Sequence, residues 1–106
     1  MVPLTMSSLK EKLHLQSYFL KILRELATKR HERIDFVHDH TGKQESSWIV
    51  YERESLWSRV NIERSNRGIQ HITLKDFIRK ENQAVGHSDY SNKLALYCAE
   101  FSLGEI

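Results

Sequence analysis

The chain is poor in the residues that announce most functional classes. Its 106 residues include a single cysteine, Cys98, so no internal disulfide and no multi-cysteine zinc site can form. Secreted domains of this length usually depend on disulfides, and a reducing, cytoplasmic setting is therefore expected. One proline and four isolated glycines (Gly42, Gly68, Gly86 and Gly104) exclude collagen-like and low-complexity classes and leave no glycine-rich phosphate loop. The longest apolar run, residues 94–99, is far shorter than the roughly 20 residues a membrane-spanning helix needs, so no membrane partner is expected. Residues 1–6 have neither the basic start nor the long apolar stretch of a signal peptide and are expected to form a frayed tail.

What remains is an ordinary globular composition, 40% hydrophobic and 28% charged, sufficient for one domain over residues 1–106. The net charge of +2 is unevenly spread. Residues 1–34 hold seven Lys/Arg against three Glu, a net +4, while residues 35–68 and 69–106 each carry −1. This basic excess is too small to mark a nucleic-acid binder by itself.

Hydrophobic periodicity predicts four helices. In the first, over 8–30, Leu9, Leu13, Leu20, Leu23 and Ala27 share one stripe, and Leu15, Phe19, Ile22 and Leu26 share an adjoining one. Ser7 or Ser8 is placed to cap it, with Glu11 in capping-box register to Ser8. Residues 31–45 are dominated by polar and turn-forming types and are expected to form an exposed loop turning at Thr41-Gly42. A competing reading makes 34–37 and 48–51 two short strands, because β-branched and aromatic residues fill both.

The second helix, over 46–66, starts at Ser46 or Ser47, aligns Ile49, Leu56 and Val60, and stops at Gly68. Glu63 and Arg67 form an i,i+4 pair at its end. The third, over 74–85, has Thr73 as N-cap, Asp76 at N3 and an Ile72–Phe77 staple, with Leu74, Phe77, Ile78 and Val85 as its buried stripe. The fourth, over 90–103, is apolar nearly all round and belongs at the centre of the fold or in a subunit interface. Its Ala95, Ala99 and Ser102 leave a line along which another backbone can approach closely. The expected fold is all-α: a compact four-helix bundle with the C-terminal helix central and buried.

Chemistry is harder to find. His38-Asp39-His40 offers three potential ligands in one loop, a weak and unselective arrangement beside the convergent ligands of a real zinc site, so no metal is assigned. His87, Ser88, Asp89 and Tyr90 bring an imidazole, a hydroxyl, a carboxylate and a phenol to the junction of two helices. They read either as a cap, Ser88 or Asp89 holding the first turn over Tyr90, or as a binding corner with His87 and Asp89 as an acid–base pair. Cys98 has no neighbouring cation and reads as a structural thiol. Nothing calls for catalysis or a cofactor.

The polar face needed for a helix-turn-helix reader is missing from the fourth helix. Lys21, Arg24, Lys29, Arg30 and Arg33 supply a different basic face suited to phosphate contacts without sequence readout. The double apolar stripe of the first helix and the all-round apolar fourth helix suggest self-association as a homodimer, or docking of another protein on anchors such as Trp48, Arg53 and Trp57. The leading expectation is a non-catalytic protein–protein interaction or regulatory module. A nucleic-acid-associated regulator is the alternative, and an enzyme or metal protein built on His87/Asp89 or His38/His40 is the third.

Overall fold

In the computed structural model, residues 6–30, 36–38 and 44–106 are described, with side chains over 8–30 and 47–106. Four helices carry the architecture: α1 (Met6–Ala27), α2 (Ser47–Asn66), α3 (Leu74–Ala84) and α4 (Tyr90–Ser102). Two three-residue strands, β1 (Phe36–His38) and β2 (Gln44–Ser46), stand between α1 and α2. As expected from its apolar circumference, α4 packs against each of the other helices, most extensively against α1.

The core unites Phe19 from α1, Leu56 and Val60 from α2, Phe77 and Ala84 from α3, and Leu94, Ala95, Cys98 and Ala99 from α4. Burying each large side chain contributes about 1.5–3 kcal/mol, so this cluster dominates the favourable side of folding. The small-residue line Ala95, Ala99 and Ser102 is fully covered within the chain. The phenyl rings of Phe77 and Phe101 meet at 5.9 Å and close the α3–α4 seam.

Helix boundaries follow local chemistry. The Thr73 hydroxyl accepts from the Asp76 N–H at 3.1 Å, and that cap forms as its sequence signature predicts. At the end of α2, Gly68 (φ +69°) donates to Ser65 O, and Ile69 donates to Arg64 O at 2.8 Å. The same pair of bonds recurs at Gly104 (φ +73°), from Gly104 to Phe101 O and from Glu105 to Glu100 O. Both are the two-bond C-terminal cap that needs a left-handed residue. A Cβ on Gly104 would lie 3.1 Å from the Ile69 side chain, so the two caps also pack on each other.

Several expectations need correction. Met6 belongs to α1 rather than to a tail, and Ser7 and Ser8 lie inside the helix instead of capping it. Glu11 binds Arg67 across the fold, so its carboxylate serves tertiary packing and not a capping box. The helix also ends at Ala27, where the Thr28 hydroxyl donates to Glu25 O at 2.7 Å, leaving Lys29 and Arg30 beyond it.

The segment read as a loop over 31–45 contains β1 and most of β2, paired antiparallel with Val37 opposite Glu45. Of the competing strand assignment, 34–37 overlaps β1, but 48–51 lies in α2. The true partner strand, Gln-Glu-Ser, is polar, and its ladder rests on backbone bonds that side-chain composition does not announce. Thr41 and Gly42 fall outside the described residues, as do residues 1–5.

The buried stripe of α3 is Phe77, Glu81 and Ala84, while Val85 is 64% exposed and Leu74 and Ile78 are half-buried. In α2, Ile49 is exposed and the interior stripe runs through Arg53, Leu56, Val60, Asn61 and Arg64. Polar residues thus take interior positions that hydropathy assigns to Val85 and Ile49.

Candidate functional site

The densest gathering of chemistry lies where α2, α3 and the start of α4 meet. Arg53 Nε donates to Glu81 Oε1 at 2.9 Å, with the two side chains only 8% and 6% exposed. Glu52, the preceding residue on α2, is half-buried beside them, and the half-buried Tyr90 begins α4 in the same neighbourhood. Burial, reinforced by the charge of Glu81, raises the Glu52 carboxyl to about 7 even though Arg30 and Arg53 pull it down. Burial and the same two glutamates push the Tyr90 phenol well above its usual range. Cys98, at 0% exposure beneath the cluster, has its thiol pushed up for the same reasons and is a structural, unreactive group.

A second polar assembly holds the link between α2 and α3. Asn61 clamps the Ile72 backbone, its Oδ1 accepting from Ile72 N at 2.9 Å and its Nδ2 donating to Ile72 O at 3.3 Å. Trp57 Nε1 donates to the same carbonyl at 2.9 Å. Arg64 donates to Gln70 O and to Phe101 O, each at 2.6 Å, and burial lowers its guanidinium from the ordinary value. These side chains satisfy backbone groups that a helix or sheet would otherwise pair.

Beside that link is an open groove of about 420 Å³, lined by Trp57, Asn61, Ile62, Ser65 and His71 among others. Ser65 Oγ and His71 Nε2 share a hydrogen bond at 2.6 Å. A serine–imidazole pair suggests a nucleophile and its base, but Ser65 sits in the last turn of α2. The negative end of the helix dipole opposes, rather than stabilises, an oxyanion at that place.

The residues singled out in the sequence are scattered. His87 and Asp89 are both exposed, and no hydrogen bond or ion pair joins them. Asp89 is the N-cap residue of α4, yet its side chain makes no cap bond; its Oδ2 accepts from Asn92 Nδ2 at 2.6 Å. Ser88 is exposed, and only Tyr90 of this corner turns toward other titratable groups.

The three anchors are largely interior. Trp48 is buried, its ring centroid 6.4 Å from that of Tyr51 at a 45° tilt, with the Arg30 guanidinium 5.9 Å from its ring. Arg53 is committed to Glu81, and Trp57 is half-buried over Ile72. Trp48 and Arg53 thus lie inside the described fold, Arg53 paired with the buried Glu81.

Lys21, Arg24, Lys29 and Arg30 are exposed, whereas Arg33 lies outside the described residues. His40 also lies outside them, and the His38 side chain is not among those described. Among the described residues, no three His, Cys, Asp or Glu side chains converge in a metal-binding group, and no helix is long and apolar enough to cross a membrane.

Sequence reasoning missed Glu52, Glu81, Asn61 and Arg64. The available signal was weak: Glu81 stands four residues after Phe77 on the buried face of α3, and Arg53 three before Leu56 on that of α2. Comparison of the chain with protein-family models, with curated proteins and with solved structures found no match.

Proposed function

We propose that the domain is a non-catalytic binding module that recruits a partner protein through the outer side of α1. One observation carries this reading. Of the apolar residues on α1, Leu15, Phe19, Leu23 and Leu26 are buried in the core, while Leu9 and Leu13 remain 43% and 54% exposed one turn apart. Leu20, half-buried against the core, and Ala27, exposed, continue the line of Leu9 and Leu13 along the helix.

The surroundings indicate the kind of partner. Lys10, Lys21 and Arg24 are exposed on the same side, and none forms an ion pair among the described residues. An apolar strip edged by exposed cations fits a polypeptide carrying apolar and acidic side chains. Pairing two copies of this face would set like charges against each other, so a different chain suits it better than a homodimer. The same cations support phosphate contact as a second reading, in which Lys21, Arg24, Lys29 and Arg30 would track a nucleic-acid backbone.

Native mass spectrometry of the untagged protein, purified gently from its own cells, tests the assignment against a Leu9→Asp/Leu13→Asp variant. The expected result is one acidic polypeptide bound in defined stoichiometry to the parent chain and lost from the variant, whose circular dichroism is unchanged. A bare monomer, or a complex indifferent to both substitutions, overturns the reading. A nucleic-acid adduct removed by moderate salt replaces it with the second.

A further inference from the structure

We propose that Arg67 and Glu105 form an ionic clasp that seats the first turns of α1, the part of the helix carrying Leu9 and Leu13, and that opening the clasp frees those turns while the core stays folded. The ends of α2 and α4 bring the two residues together. Arg67 immediately precedes Gly68, Glu105 immediately follows Gly104, and the two left-handed caps pack on each other through Ile69. Both backbones are fixed there, Arg67 N donating to Arg64 O at 3.0 Å and Glu105 N to Glu100 O at 2.9 Å.

The clasp meets two neighbouring residues of α1, each with the opposite charge. Arg67 Nε and Nη2 both donate to Glu11 Oε1, at 3.0 and 2.7 Å. Its Nη1 donates to Glu63 Oε2 at 2.7 Å, which holds the guanidinium in place. One residue further along α1, Lys12 Nζ pairs with Glu105 Oε2 at 2.9 Å, the two side chains 15% and 22% exposed. A solitary ion pair in open solvent contributes little, whereas linked and partly sheltered pairs on a fixed backbone contribute more.

The apolar pattern of α1 leaves this end to polar contacts. Leu15 is the first residue of α1 in the core, and none of the described side chains before it, over 8–14, is buried. The first turn also holds no acidic residue to favour the positive end of the helix dipole. Charge thus secures the start of the helix, as Leu15, Phe19 and Leu23 secure its middle. Salt weakens charge attraction and leaves apolar burial in place, so the presentation of Leu9 and Leu13 becomes sensitive to ionic strength. That consequence rests on the docking role proposed above; the clasp itself does not.

Amide hydrogen exchange of the full chain, followed by NMR, tests the clasp without a partner. Glu105→Lys reverses the charge facing Lys12 and should speed exchange over residues 11–14 by about two- to fivefold, with residues 95–99 in the core of α4 unchanged. Adding Lys12→Glu restores opposite charges and should return exchange toward the parent rate. Arg67→Gln, which removes the bonds to Glu11, should speed the same amides. Raising NaCl from about 0.1 M to about 1 M should accelerate residues 11–14 more in the parent than in Arg67→Gln/Glu105→Gln. Unchanged exchange over 11–14 in Glu105→Lys and Arg67→Gln, acceleration matched at 95–99, no recovery on charge reversal, or an equal salt response overturns the clasp. Since no partner enters the measurement, its failure and that of the docking role are read separately.

Discussion

Along α4 the interior positions are Leu94, Ala95, Cys98, Ala99, Phe101 and Ser102, whereas along α2 Leu56 and Val60 share the interior with Arg53, Asn61 and Arg64. The first helix is buried by what its residues are: apolar side chains leave water wherever a surface can cover them. The second is buried by what its residues meet. Arg53 enters the interior because Glu81 is there, and Arg64 because the Gln70 and Phe101 carbonyls need donors. Hydropathy therefore describes α4 well and α2 poorly, although both lie against the same core.

The largest expected effect comes from breaking the buried pair on one side only. Glu81→Ala removes the carboxylate that Arg53 faces and should cost about 3–5 kcal/mol in urea unfolding. Replacing both partners by apolar residues, Arg53→Met with Glu81→Leu, should recover most of that loss or exceed the parent stability. If the double replacement were as damaging as the single one, the pair would be doing more than satisfying itself. Leu94→Ala should cost about 2–5 kcal/mol, and here no second substitution is expected to rescue, since the loss is transfer energy plus cavity.

Arg64→Met is a smaller perturbation of the α2 pattern. The methionine fills much of the space but leaves the Gln70 and Phe101 carbonyls without their donor, a loss of about 1–3 kcal/mol. Hydrogen exchange should localise the damage to the α2–α3 link and the end of α4. A uniform loss of protection would mean that Arg64 supports the whole core and that the contrast between the helices is too sharply drawn.

Four helices, their approximate limits and the central place of α4 were legible because each depends on local rules. The Thr73 cap, the Gly68 stop and the Glu63–Arg67 pair, bonded at 2.7 Å, all operate within one helix or its flanks. The buried ion pair was not legible. Arg53 and Glu81 are 28 positions apart, and an arginine on an amphipathic helix ordinarily belongs to its solvated face. Likewise, α1 displays two adjoining apolar stripes, and sequence periodicity does not decide that Leu23 enters the core while Leu9 and Leu13 of the same stripe stay exposed.

The sequence by itself determined the helical class, the absence of a disulfide framework, the Thr73 cap, the Gly68 stop and the apolar helix around which the others assemble. These follow from residue type and spacing, which act over a few ångströms along the chain. Only the tertiary structure decided that Glu81 lies inside while Val85 lies outside, that Trp48 and Arg53 face inward, and that Leu9 and Leu13 stay open to solvent. Each of those outcomes depends on which distant group arrives opposite, because a charge can be buried only when its partner is buried with it.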